Sequence, residues 1–167
     1  MTERNDFIEE LDKKIQEITE TSSIEEAEEG NRSSALFTTT QEGGGISLFE
    51  TAFFDLWDDY PLLEILVTPQ FEVKEEAIPE LEKLATNLNF TIPIGHLGVQ
   101  HEAKRMYYRY MFTPDMEKSA EELAEQTVEI YKRMAMIFGS IVDICERLAS
   151  GESTFEEEEA KNENLKQ

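Results

Sequence analysis

The sequence is poor in the residues that build most catalytic and metal sites. In 167 residues it has one cysteine, two histidines, and 15 lysines and arginines against 37 acidic residues. A single cysteine excludes an internal disulfide, which suits a reducing compartment such as the cytoplasm. The net charge of -22 excludes a nucleic-acid-binding domain that neutralises phosphates, because it would repel the backbone of DNA or RNA.

A long apolar segment is also missing. The longest uncharged stretch of the apolar C-terminal region, residues 134–142, has nine residues, whereas a helix needs about 20 to cross a bilayer. The N-terminus has neither the basic nor the apolar region of a cleaved signal. We therefore expect a soluble, cytoplasmic protein with no membrane partner. The 40% of hydrophobic residues that are present suffice for one ordinary core.

Charge divides the chain into three parts. Residues 1–31 hold eleven acids and three bases, residues 152–167 hold six and two, and residues 32–151 hold twenty and ten. Runs of like charge repel themselves and oppose compaction. This division predicts an N-terminal amphipathic helix with an acidic linker, one folded domain, and a disordered acidic tail. Acidic arms that compete for a basic partner are the alternative for the two ends.

Runs of β-branched, aromatic and alternating residues between turn signals predict strands. The glycines from Gly43 to Gly45 suggest a hairpin turn, and Pro61 marks the next turn. In the last run, apolar or aromatic residues such as Tyr108 and Tyr110 alternate with positions that hold both charged and apolar side chains. This alternation makes the last run the clearest strand. Five strands are expected, at 34–41, 46–57, 62–71, 92–100 and 104–113.

Apolar residues at helical spacing predict three helices. The first contains Phe7 to Ile18, and the second covers residues 78–88, with Pro79 in its first turn, where proline is tolerated. The third begins at a capping-box sequence after Ser119 and runs to Ala149. The resulting order, α-βββ-α-ββ-α, predicts an α+β fold in which helices pack on a five-stranded antiparallel sheet.

The predicted third helix has two apolar sides. One stripe, which includes Ile137, Ile141 and Cys145, is expected to bury against the sheet. A second set of small residues lies roughly 120–180° around the helix, at spacings typical of coiled coils. Its members are Val128, Ala135, Gly139 and Val142. This set is buried either beneath the first helix or at a contact between subunits, so it is a candidate partner surface.

The second predicted strand is apolar on both faces. Its even positions, from Ile46 to Leu56, are expected to face the core. Its odd positions include Phe49, Phe53 and Trp57. Large aromatic side chains on the face away from the helices would form an exposed patch, and such patches usually mark a partner surface. Coverage by the first helix is the alternative.

No set of residues converges on a catalytic or metal site. His96 and His101 are five residues apart, so on one continuous strand they would point to opposite faces and could not share a metal. Cys145 falls on a buried stripe, and the triple glycine at 43–45 lacks the Lys-Ser/Thr of a phosphate loop. The acidic pair at 58–59 lacks the spacing of a calcium loop. We expect no cofactor and no enzymatic activity.

One segment carries a family resemblance. Residues 87–95, Asn-Leu-Asn-Phe-Thr-Ile-Pro-Ile-Gly, precede the aromatic strand at 107–110 and a long apolar helix. Together they resemble the YbjN family of bacterial proteins, described as sensory transduction regulators, over roughly residues 33–150. The order of elements is similar to the type III secretion chaperone-like fold, whose members are small, acidic, cytoplasmic and commonly dimeric. The physical sense of the motif is that Gly95 lets a strand approach its neighbour closely.

The resemblance implies binding of other polypeptides without catalysis, and it carries no catalytic residue. Our leading hypothesis is a non-enzymatic interaction module that binds a protein partner through apolar surface. It would act as a chaperone-like protein or a regulatory adaptor, and it would be a homodimer. The alternatives are a stress or sensory regulator acting through a transcription factor, and a small-molecule-binding protein or enzyme with a cavity between the sheet and the C-terminal helix. Burial of every candidate residue within one subunit, beside a deep polar cleft, would contradict the hypothesis.

Overall fold

The structure is a computed structural model that describes residues 2–19, 22–25, 32–42, 45–55 and 61–162, with the backbone alone for 32–42 and Gly45. The helices in these residues are α1 (Arg4–Gln16), α2 (Ile78–Leu88), α3 (Ala120–Gly139), α4 (Val142–Ala149) and α5 (Phe155–Lys161). The strands are β1 (Ser22–Glu25), β2 (Arg32–Glu42), β3 (Gly45–Asp55), β4 (Pro61–Pro69), β5 (His96–Gln100) and β6 (Arg105–Phe112).

The strands form one antiparallel sheet in the order β1-β2-β3-β4-β6-β5. The predicted α+β class is confirmed, but the described residues contribute six strands instead of the five expected. The additional strand is β1, whose four residues pair with β2 from Ser22 opposite Thr38 to Glu25 opposite Ala35. This segment was expected to belong to the acidic linker, because four residues are too few for an alternating pattern to be evident.

Helices α1 and α3 cover one face of the sheet and enclose the core. The ring of Phe7 in α1 meets the ring of Phe53 in β3 edge-on, with centroids 5.5 Å apart. Tyr131 in α3 stacks on Phe49 at 4.9 Å, and its hydroxyl shares a buried 2.8 Å hydrogen bond with Thr51. The N-terminal helix, set apart by its charge, therefore contributes to the same core as the sheet.

The predicted third helix is two helices. Gly139, a weak helix former, ends α3, and Ser140 caps that end through a 2.6 Å hydrogen bond from its hydroxyl to the carbonyl of Ile137. Ile141 leaves the helical conformation, with φ of -122° and ψ of -13°, and α4 begins at Val142. The break redirects the chain, so that α4 packs against α2.

Part of the predicted C-terminal tail is also helical. Thr154 begins α5 with a capping box that includes Glu157. Two hydrogen bonds, of 2.6 and 3.1 Å, run from the Arg147 guanidinium in α4 to the Glu158 carboxylate in α5. Glu158 is 2% exposed, so one acid of a run that favoured disorder instead attaches α5 to the core. A capping signal and one arginine outweigh the local repulsion between the acids.

The ion pair between Arg147 and Glu158 predicts how α5 responds to acid. The hydrogen bonds from Arg147 lower the pKa of Glu158 to about 2, from about 4.3 in an unfolded chain. The stabilisation is therefore complete above about pH 4.3 and is lost as the pH falls toward 2. At pH 7 the wild type should be more stable than Glu158→Gln by about 1 kcal/mol. This difference is smaller than the pKa shift alone implies, because Arg147 is half-exposed and solvent screens the ion pair.

Denaturant unfolding of both proteins between pH 5 and pH 2 measures this difference. The other acids titrate in both proteins, so their contribution to stability cancels in the comparison. The stability difference between wild type and Glu158→Gln should shrink steadily toward pH 2. A difference that stays constant across the range would contradict the assigned role of Glu158.

One side chain forms two hydrogen bonds with the backbone of the edge strand β5. Asn89, which follows α2, donates a 3.0 Å hydrogen bond from Nδ2 to the carbonyl of Leu97 and accepts a 2.8 Å bond from the Leu97 amide at Oδ1. This pair imitates the two bonds that a neighbouring strand would make, and it protects an edge that could otherwise pair with another chain. It gives part of the 87–95 motif a structural purpose.

Asn89→Ala is expected to lower the free energy of unfolding by about 2 kcal/mol, because two hydrogen bonds at about 1 kcal/mol each are lost. The measurement is denaturant unfolding. Gln100→Ala is the matched control, since it removes an exposed amide from the same strand and should change stability by less than about 0.5 kcal/mol. Equal losses in the two variants would show that Asn89 has no special role at the edge.

Gly95 behaves as the motif predicts. It has a φ of +68°, and an added Cβ would lie 2.7 Å from the carbonyl oxygen of Arg109 and 2.8 Å from the Tyr108 ring. A side chain would be strained at this φ and would collide with backbone. The predicted close approach of the strand to its neighbour is confirmed, and it places β5 beside β6.

Candidate functional site

The aromatic residues predicted to bind a partner lie inside the chain. Phe49 and Phe53 are buried, and Trp57 lies outside the described residues. Phe53 is covered by Phe7 and by the Arg4 guanidinium, which lies 5.2 Å from the ring centroid and forms an ion pair with Asp55. Phe53 is therefore covered by α1, the alternative that the sequence left open, whereas Phe49 is covered by Tyr131 of α3. Both phenylalanines are core residues.

The two faces of β3 were therefore predicted the wrong way round, because the odd positions Phe49 and Phe53 face the core. The even positions, expected to face the core, point mostly to the opposite face: Ile46 is 54% exposed and Leu48 and Phe54 are half-buried. Ala52 is the buried exception. Register decides the matter, since Phe53 lies opposite the buried Leu63 of β4.

The small residues of the predicted third helix are not an exposed surface either. Val128 and Val142 are buried, and Ala135 and Gly139 are half-buried. Helix α3 packs against α1, and Ala135 contacts the core cluster. Burial within one subunit, one of the two interpretations of this pattern, therefore accounts for the set, with α1 packed on α3 and α2 packed on α4.

The other face of the sheet forms a groove. We call it the open face, and it consists of the even-numbered residues of β3, β4 and β5 with the odd-numbered residues of β6. The groove has a volume of about 650 Å³ and is open to solvent on one side. Its lining mixes apolar side chains such as Leu48 and Leu66 with charged ones such as Glu50 and Arg105.

An ion pair lies in the groove. Arg109 of β6 donates from Nε to the Glu64 carboxylate of β4. Glu64 is 3% exposed, whereas 35% of the Arg109 side chain is exposed. A carboxylate taken out of water needs such a partner, and in return it holds the guanidinium in place. Arg109 is thus an oriented cation in the wall of the groove.

A tyrosine lies beside this arginine. Tyr107 of β6 crosses Gly98 of β5 so closely that a Cβ on Gly98 would overlap the Tyr107 ring. His96 meets the same ring edge-on, with centroids 6.0 Å apart. Desolvation and the charge of Arg109 lower the pKa of His96, which favours the neutral imidazole. The groove therefore presents a fixed aromatic side chain next to a fixed arginine.

The remaining candidates for chemistry are dispersed. His101 lies in the turn after β5, and its Nε2 is 2.6 Å from a Glu82 oxygen on α2. Cys145 is fully buried, as its position on the helical stripe predicted, and burial raises the pKa of its thiol to about 12. Within the described ranges, no group of three or more His, Cys, Asp or Glu side chains is placed to hold a metal ion.

Sequence reasoning did not find the open face. The two residues of its ion pair, Glu64 and Arg109, are 45 positions apart and meet only through the pairing of β4 with β6. A signal was present in β4, where one acid interrupts the run Leu62-Leu63-Glu64-Ile65-Leu66. An acid inside such a run indicates a partner or a solvent-facing position, but it does not identify the partner.

No family model matches the chain, and no curated protein matches its sequence. The resemblance to the YbjN family and to the chaperone-like fold therefore stays a prediction. In the part of the chain that the structure describes, no helix combines the length and apolar character needed to cross a membrane.

Proposed function

We propose that this protein is a non-enzymatic interaction module and that its binding surface is the open face of the sheet. The observation that carries the proposal is the side-by-side placement of Tyr107 and Arg109, each fixed by a neighbour, among half-buried apolar residues. Tyrosine and arginine are enriched among the residues that dominate binding energy. Preorganised side chains lose little conformational entropy on binding.

The character of the lining supports a protein partner. Apolar side chains at the centre of a groove, with polar and charged groups among them, are typical of protein interfaces. Leu48, Leu66 and Tyr107 supply the apolar part, and Glu50 and Arg105 the charged part. An open groove of this kind accepts a polypeptide more readily than an enclosed cavity would. A sensory or stress regulator that acts through a transcription factor is the form of this proposal that the YbjN resemblance implies.

Site-specific photo-crosslinking tests the proposal. A benzophenone amino acid is placed at Thr68 on the open face, or at Met136, which is 69% exposed on α3, and the full chain is irradiated in source cells. A polypeptide should crosslink to position 68 and not to position 136. Leu66→Asp should abolish the crosslink, because it places a carboxylate at the centre of the groove, whereas Met136→Asp should leave it unchanged.

Two outcomes would contradict the proposal. One is the absence of a crosslink from position 68. The other is a crosslink that survives Leu66→Asp in a protein whose circular dichroism shows that it is folded.

A small molecule is the second candidate ligand for the same groove. Its volume of about 650 Å³ falls within the range of about 300–1,000 Å³ for small-molecule sites, and the Arg105 guanidinium in its lining would pair with an anionic group. This groove lies on the face of the sheet opposite the predicted location, which was between the sheet and the C-terminal helix. Native mass spectrometry of freshly purified protein should then show a bound mass that Arg105→Gln removes.

A further inference from the structure

We infer that the occupant of the open face is a second copy of this chain, packed face to face about a two-fold axis that runs along β4. This inference rests on the proposed function and names the partner of the same surface. It is carried by the arrangement of charge across the sheet, which is complementary to itself.

The arrangement follows from the strand register. Glu50 of β3 lies opposite Leu66 of β4, Leu66 lies opposite Arg109 of β6, and Arg109 lies opposite His96 of β5. One row across the open face therefore reads acid, apolar, base, histidine. The acid lies on one side of β4 and the base lies on the other, each one strand away.

A two-fold axis along β4 uses this order. It lays β3 of one copy over β6 of the other and leaves each row facing its own equivalent. Leu66 then meets the partner's Leu66, and Glu50 faces the partner's Arg109. Because the interface is isologous, the contact between Glu50 and Arg109 forms twice.

The neighbouring rows agree with the same axis. Leu48 of β3 faces the partner's Tyr107, an apolar contact that also forms twice. Glu64 lies near the axis, but it is buried and its carboxylate is bonded to Arg109, so it does not present a bare charge to its own copy.

The face is large enough for a weak dimer. Across this axis three strands of each copy, β3, β4 and β6, overlie one another. With about 4.8 Å between strands and about 3.4 Å for each of the nine residues of β4, they form a patch of about 14 by 30 Å. Two such patches cover about 900 Å² in total, below the lower limit of about 1,200 Å² for standard interfaces and in the range of weak, transient contacts. We therefore expect a dimer with a dissociation constant in the micromolar range.

The whole-chain charge distinguishes this occupant from a basic polypeptide. Each copy carries a net charge of -22, so two copies repel each other, and this long-range repulsion is screened by salt. Raising the salt from about 20 to about 200 mM should strengthen a homodimer, whereas it should weaken the binding of a basic segment. The direction of the salt effect thus identifies the partner.

The test uses the full chain in analytical ultracentrifugation and thiol crosslinking. The wild type should dimerise more tightly at the higher salt. Leu66→Asp should weaken dimerisation by about 100-fold or more, because the substitution is duplicated at the centre of the interface. Met136→Asp adds the same charge to an exposed position of α3 and should have no more than a small effect.

Crosslinking tests the axis itself. A bismaleimide with a two-carbon spacer should join two copies of Leu66→Cys, because the axis brings these residues together. It should not join two copies of Gln100→Cys, which lie on the same face but about 19 Å apart, four strand spacings from each other. Cys145 is buried and does not compete. The half-buried position of Leu66 makes the cysteine variant a mild change, so a folded protein is expected.

A monomer at about 100 μM in both salts would overturn the inference, as would a dimer that neither Leu66→Asp nor the Leu66→Cys crosslink affects. A monomer that still crosslinks to a different polypeptide from position 68 would overturn this inference and leave the proposed function intact. A protein with no ligand on the open face at all would remove both.

Discussion

Phe53→Ala is expected to lower the free energy of unfolding by about 3–5 kcal/mol, the range for truncating a buried phenylalanine. The ring is fully buried, and three neighbours lose contacts at once: Phe7 packs on its edge, the Arg4 guanidinium lies 5.2 Å from its centroid, and Leu63 lies opposite it in β4. A domain of this size has a total stability of about 5–15 kcal/mol. The substitution should therefore remove a large fraction of the total stability.

Phe90→Ala is the matched control, since Phe90 is 79% exposed after α2. Its truncation should change stability by less than about 0.5 kcal/mol. Denaturant unfolding of both variants separates two views of Phe53. If Phe53 were a partner-binding residue on the surface, its truncation would leave stability unchanged and weaken binding alone. A stable Phe53→Ala protein would thus restore the interpretation that the structure replaces.

The order of the larger elements could be predicted because each has a period of its own. The boundaries of α2 agree with the prediction at both ends, residues 78 and 88, and β6 begins and ends within one residue of it. The role of Gly95 could also be predicted from its own position, because a glycine there indicates that the strand approaches its neighbour closely. The positive φ and the short distance to the Arg109 carbonyl agree with that prediction. Local chemistry was sufficient for these features.

The face that each strand presents to the core could not be predicted in the same way. Alternation divides β3 into two apolar faces and does not say which of them the helices cover. The answer lies in β4, where Leu63, Ile65 and Val67 are buried and Glu64 reaches the open face. Transferring that pattern to β3 requires the pairing of Phe53 with Leu63, which depends on the connection between the strands and not on either strand alone.

The break between α3 and α4 and the helix α5 were missed for related reasons. Gly139 and Ser140 are compatible with a continuous helix in isolation, and packing of α4 on α2 decides against it. The acids of α5 repel one another locally, and a contact from Arg147, eleven positions away from Glu158, reverses the balance. In both cases a tertiary contact outweighs a weak local preference.

Arg109→Met is expected to cost about 2–3 kcal/mol. Breaking a fully buried ion pair from one side costs about 3–5 kcal/mol, and the 35% exposure of Arg109 reduces that figure. Most of the cost comes from Glu64, which is almost fully buried and would lose its arginine. Arg133→Met, an exposed position of α3, is the matched control and should change stability by less than about 0.5 kcal/mol.

The double variant Glu64→Leu/Arg109→Met tests whether desolvation of Glu64 is the cause. Replacing a buried ion pair by apolar residues is often neutral or stabilising, so most of the stability should return. In the dimer that we propose, the arginine that faces the partner's Glu50 is still missing from this variant. Dimerisation measured by ultracentrifugation should therefore remain weakened in a protein that is fully folded. If the double variant is as unstable as Arg109→Met, the loss of stability does not come from desolvation of Glu64. If the double variant dimerises like the wild type, Arg109 does not contribute to the proposed interface.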